Sequence, residues 1–150
     1  MSNFAVFHVG GHPDNNGTQD FSHLLAKGLL WIGGKHDLKK EEVSSILSGT
    51  NYFISYKSKK LYGDEHGWYD IYEKTGSVHE VDSVDKWKLI TDSEPTEETS
   101  SYFENNGMDF LIHVKKVYDG KVEVSHLPNM RRIQKITNTN SLSSLMELIN

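Results

Sequence analysis

Ten residues carry the first decision about the fold: Leu24-Leu25-Ala26-Lys27-Gly28-Leu29-Leu30-Trp31-Ile32-Gly33. Two periodicities meet there. Phe21, Leu24 and Leu25 share one face at helical spacing, whereas Leu29 to Ile32 is an unbroken apolar run of strand length. Gly28 between them is placed to end the helix as a C′ residue, and Thr18 or Asp20 is expected to cap its start. A short helix running straight into a buried strand is the unit from which the rest is read.

Upstream, Asn3 to Val9 consists almost entirely of β-formers and predicts a first, central strand. Residues 10–17 stack Gly, Pro, Asp and Asn and form a loop. Downstream, Gly33-Gly34 breaks the chain and Asp37 stands as an N-cap for a helix over 38–47. Leu38, Val43, Ile46 and Leu47 share its inner face, and Gly49 closes it. Asn51 to Tyr56 is a third strand. Trp68 to Glu73 and Val78 to Val84 read as two strands joined by a turn at 74–77, and Trp87 to Ile90 as one more short strand. Phe110 to Val117 and Lys121 to Leu127 flank Asp119-Gly120, a dipeptide that favours a type I′ hairpin. Asn140 or Ser141 caps a last helix with Leu142, Leu145, Met146 and Ile149 on one face. The expected fold is α+β: a small, curved, mainly antiparallel sheet or barrel with two helices in the first third and one at the C-terminus.

A chain of 150 residues has the size of one domain, and it removes roughly 68–70% of its unfolded surface from water, enough for a core without disulfides. The absence of Cys excludes thiol catalysis, zinc knuckles and iron–sulfur chemistry. No stretch approaches the roughly 18 apolar residues of a membrane span, and the first residues lack a basic start, so a cytoplasmic protein is expected.

Charge is distributed unevenly. Lys and Arg number 7 against 5 acids over 1–60, 3 against 13 over 61–110, and 6 against 3 over 111–150. The acidic middle third includes residues 92–106, which are polar, nearly free of aliphatic side chains and expected as a mobile loop of a single domain. A nucleic-acid surface would therefore be assembled from the flanking thirds. The acidic segment from Asp64 to Asp109 could alternatively cover a basic site on a protein partner, as an inhibitor or immunity protein does.

Several spacings invite chemistry. Gly10-Gly11-His12-Pro13-Asp14 faintly resembles the metal loop of zinc-dependent sugar deacetylases, but Asn15 stands where a second acid belongs and no His-x-x-His follows. No metal is expected. A strand ending Phe7-His8, the strand from Asn51 to Ser55 and the late Lys121-Val122-Glu123-Val124 together resemble the His-Tyr-Glu order of ADP-ribosyltransferases. That resemblance implies that His8 and Tyr52 would hold NAD and Glu123 would align the ribose.

Aromatic side chains gather in the same region. Trp31, Tyr52, Phe53, Tyr56, Trp68, Tyr69 and Tyr72 fall on three expected strands or their ends, where flat rings can sandwich a planar base. Trp31, Tyr52, Tyr56, Trp68 and Tyr69 are the candidate ligand-binding residues. Lys57, Lys59, Lys60, Arg131 and Arg132 are the candidate phosphate-facing rim.

The order of elements over the first sixty residues resembles the opening of the PUA-like superfamily, which includes EVE and YTH domains. The likeness rests on Phe4-Ala5-Val6-Phe7-His8-Val9, the stretch from Leu24 to Gly33, a helix, and Asn51-Tyr52-Phe53-Ile54-Ser55-Tyr56. It implies a small barrel that recognises a modified base in an aromatic pocket, with Trp31 in the position of the pocket tryptophan. The expected function is thus a non-catalytic module for a base or nucleotide, with the NAD-using transferase and the acidic inhibitor as alternatives.

Overall fold

A computed structural model describes residues 3–8, 16–32, 39–97, 100, 109–128 and 133–150. The element order is β1 (Phe4–His8), α1 (Asn16–Ala26), β2 (Leu29–Ile32), α2 (Lys40–Gly49), β3 (Tyr52–Lys57), α3 (Lys59–Tyr62), a 3-10 turn (Gly63–Glu65), β4 (Gly67–Val81), α4 (Val84–Thr91), β5 (Asp109–Lys121), β6 (Ile133–Lys135) and a C-terminal helix, α5 (Thr139–Ile149). The class is α+β, on a six-stranded sheet ordered β2-β5-β4-β3-β1-β6. β1 and β3 run parallel, while β1/β6, β2/β5 and β3/β4 are antiparallel. Each of the two helices in the first third follows a strand as expected, and the connection through α1, β2 and α2 lets β3 run parallel to β1.

Residues group into two units. One comprises Met1–Val9, His36–Thr75 and Lys115–Asn150; the other comprises Gly10–Lys35 and Gly76–Val114. In the first, the alternation of β1 and β3 divides side chains cleanly between two faces. Phe4, Val6, Ile54, Ile71, Val122, Leu127, Ile136 and Leu145 form one buried cluster, with Leu142, Met146 and Ile149 of α5 packed against it. Asn138 caps α5 through its side-chain oxygen, which accepts from the Ser141 amide at 3.0 Å. The cap thus lies two residues before the expected Asn140. In the second unit Phe21 and Leu24 of α1, all of β2, and Phe110 to Ile112 of β5 are buried. Gly28 has φ +87 and donates position to the α1–β2 junction: a Cβ there would meet the Val114 carbonyl at 3.2 Å.

Four expectations are corrected. Residues 74–77 do not turn; β4 is one strand of fifteen residues, and Gly76 stays extended within it. Asp119-Gly120 does not make a hairpin, because a type I′ turn needs positive φ at both central residues and only Gly120, at φ +122, has it. Both residues lie inside β5, which ends at Lys121, so the expected second strand from Lys121 to Leu127 is absent; the Gly120 amide donates to the Asp70 carboxylate at 2.8 Å. Trp87 to Ile90 is helical, within α4, whose Ser83 side chain accepts from the Lys86 amide. Thr18 and Asp20 lie inside α1, which already begins at Asn16. The short β6 had no strand-like alternation to announce it, and Asp37 and Leu38 lie outside the described residues. So do 98, 99 and 101–106 of the acidic stretch; within it the Ser100 amide donates to the Thr96 carbonyl at 2.9 Å.

Candidate aromatic site

The register of the first unit builds three rows of side chains across β1, β3 and β4. Phe4 pairs with Tyr52 and Tyr52 with Glu73; Val6 with Ile54 and Ile54 with Ile71; His8 with Tyr56 and Tyr56 with Trp68. The middle row is wholly apolar and buried. The outer rows carry the polar chemistry, because strand ends are where burial gives way to solvent.

A bulge keeps the rows aligned. β4 holds one residue more than β3 opposite the Ile54/Ser55 step, and that residue is Asp70, at φ +62. Without it Trp68 and Ile71, three apart, would point to opposite faces. The Ser55 hydroxyl donates to the Tyr69 carbonyl beside the bulge. Asp70 itself accepts from the Gly120 amide and stands 3.7 Å from the Lys116 ammonium.

The terminal row is a ladder of rings. His8 and Tyr56 have centroids 5.0 Å apart, and Tyr56 and Trp68 also 5.0 Å, all three side chains half-buried. These are favourable tilted ring contacts, worth about 0.5–1.5 kcal/mol each beyond area burial. The Trp68 Nε1 atom is buried without a hydrogen-bond acceptor among the described residues. An indole N–H in that state costs about 1–3 kcal/mol of desolvation until an acceptor meets it. The row lies at the C-terminal ends of the parallel pair β1/β3, the end at which open sheets with parallel strands commonly take ligands.

The opposite face at this end holds a cation. The Lys57 ammonium lies 4.6 Å from the Tyr69 ring centroid and 5.6 Å from that of Tyr62. Burial raises the Tyr62 phenol above its ordinary pKa, which keeps it neutral beneath the lysine. Lys59 is exposed on α3. Lys60 also belongs to α3, whereas Arg131 and Arg132 lie outside the described residues.

The remaining candidates fall elsewhere. Trp31 belongs to the second unit, is 4% exposed, and packs edge-on against Trp87 with centroids 5.2 Å apart. Instead of a ring open to a planar guest it is a core ring, because the apolar β2 is buried along its whole length. Tyr52 stacks on Phe4 at 4.9 Å, and its hydroxyl donates to the Glu73 carboxylate at 3.3 Å. Desolvation and then the Glu73 charge raise its pKa.

His8, Tyr52 and Glu123 are not gathered into one catalytic group. His8 and Tyr52 belong to rows four residues apart, roughly 13 Å along the strands. Glu123 is exposed and lines a different hollow of about 330 Å³ with Ser125, His126, Asn140, Ser141 and Ser144. Among the described residues no three His, Asp or Glu side chains converge as a metal ligand set, and no helix is long and apolar enough to cross a membrane.

Sequence reasoning picked out Tyr56, Trp68, Lys57 and Tyr69 but missed Asp70, whose bulge orders them. A lone acid in an otherwise β-rich run was the available signal. Comparison of the chain with family models, with curated proteins and with solved structures found no match.

Proposed function

We propose that this chain is a non-catalytic binding module that takes a planar base or nucleotide against the ring row of His8, Tyr56 and Trp68. The observation that carries the reading is the row itself: three half-buried rings in series at strand ends. Rings of this kind offer a π-face to any base. Lys57 and Lys59 supply positive charge near the same strand end for a phosphate. The separation of His8 from Tyr52 favours binding over transfer from NAD.

The test is a titration of nucleosides, nucleotides and short modified DNA and RNA, read by tryptophan fluorescence and by thermal shift. Tyr56→Ala is expected to weaken the ligand found by about 1–3 kcal/mol, the worth of one stacked base. Equal affinity in wild type and Tyr56→Ala would overturn the proposal, as would the absence of binding by any member of the panel to the folded protein.

A further inference from the structure

The second unit contains a pair of histidines that the ring row does not use. His79 on β4 and His113 on β5 approach through their Nε2 atoms at 3.3 Å, with the rings nearly perpendicular at 78°. Both are half-buried, so solvent and small ions can reach them. Gly76 makes room for the pair: a Cβ at that position would lie 3.0 Å from the His113 Cβ and 3.3 Å from its ring. Any larger residue at 76 would push His113 out of place.

Two imidazole nitrogens facing each other have two stable arrangements. One ring donates an N–H to the lone pair of its neighbour, or both present lone pairs to a shared cation. Zinc–nitrogen bonds of about 2.0–2.1 Å meeting at the tetrahedral angle hold their nitrogens about 3.3–3.4 Å apart. Square-planar cis ligation at similar bond lengths would bring them to about 2.8–2.9 Å. The observed separation matches the tetrahedral edge.

We propose that His79 and His113 form a two-histidine chelate for a tetrahedral divalent ion of the zinc class. Two coordination positions remain for water or for a donor atom of another molecule. The ion clamps β4 to β5, and the site is independent of the base-binding reading. Binding requires both Nε2 atoms unprotonated, so the rings move from one Nε2–H and one Nδ1–H tautomer to two Nδ1–H tautomers when the ion enters.

The experiment uses the untagged, metal-free chain titrated with zinc chloride against a chromophoric chelator, with cobalt chloride as a coloured substitute. One ion per chain is expected, with the intense visible absorption of tetrahedral cobalt. His113→Ala and His79→Gln should each weaken binding at least tenfold, and Gly76→Ala should weaken it by displacing His113. His66→Ala, on the other unit, should leave it unchanged. Imidazole NMR of the wild type should show both rings as Nδ1–H only with zinc present, a readout that does not depend on how well a variant folds. Unaltered zinc affinity in His79→Gln and His113→Ala would overturn the site. So would a folded wild-type chain that takes up no zinc, or ring signals that zinc leaves unmoved; the pair would then be a hydrogen bond alone.

Discussion

Asp70 is a non-glycine residue at positive φ in the middle of a strand, and its carboxylate shows why it is tolerated there. Its oxygens reach the Gly120 amide and approach Lys116, so the left-handed backbone is held by a cross-strand bond. Asp70→Ala removes the acceptor and keeps the strain, and is expected to lose about 1–3 kcal/mol in denaturant unfolding. Asp70→Asn keeps an acceptor oxygen and the tolerance for this backbone, and should lose less. Lys116 contributes little to that difference, since a pair that is partly exposed is screened by water.

The same carboxylate affects Tyr72. Burial first, then the charges of Asp70 and Asp119, raise its phenol far above the ordinary value near 10. Up to about pH 10 the phenol is neutral in both folded and unfolded chains. Above that the unfolded chain ionises it and the folded one resists, so stability falls as pH rises. Tyr72→Phe is therefore expected to flatten the decline of unfolding free energy above about pH 10, measured by urea titration at several alkaline pH values. At this scale the sequence was a partial guide. Ring identities at 56, 68 and 69 were legible, but which face each took depended on one inserted residue, and Trp31 was lost to the core because a four-residue apolar strand gives no polar alternation to mark an exposed face.

Elements were most legible where periodicity was unbroken. β1, β2 and β3 and the helices around them follow directly from apolar spacing, β2 with both ends as expected and the start of α1 displaced most. The errors occurred where a local turn signal competed with pairing along a long strand. Lys74 illustrates the outcome: the expected turn is straight, and its ammonium instead donates to the Leu47 and Ser48 carbonyls at 3.1 and 2.8 Å, capping the C-terminal end of α2. Burial lowers the pKa of that ammonium, part of the cost of placing it there. In α4, Trp87 and Ile90 suit a strand, whereas the Ser83 cap and Asp85 in the first turn are helix signals, and the helix wins. Ser83→Ala should lose about 1 kcal/mol and speed amide exchange across α4 before it affects β4. Leu89 on the same helix is 84% exposed, and Leu89→Gln should leave the melting temperature unchanged.

Across the whole molecule, the expected class and the C-terminal helix were legible, whereas the pairing of β1 with β3 was not. Parallel neighbours need a crossover, and nothing in either strand's composition says which strand it will lie beside. The cluster joining Phe4, Ile54, Ile71 and Leu145 draws on residues more than 140 positions apart. Leu145→Ala is accordingly expected to lower unfolding free energy by about 2–5 kcal/mol in a single cooperative transition.

The grouping of residues has one more effect. The chain passes between the two units four times, after Val9, Lys35, Thr75 and Val114, and two of those crossings fall inside β4 and β5. Neither unit is a continuous stretch of the gene product. No single cut of the coding sequence yields either one intact, and a fragment ended at Thr75 or Val114 would stop in the middle of a strand.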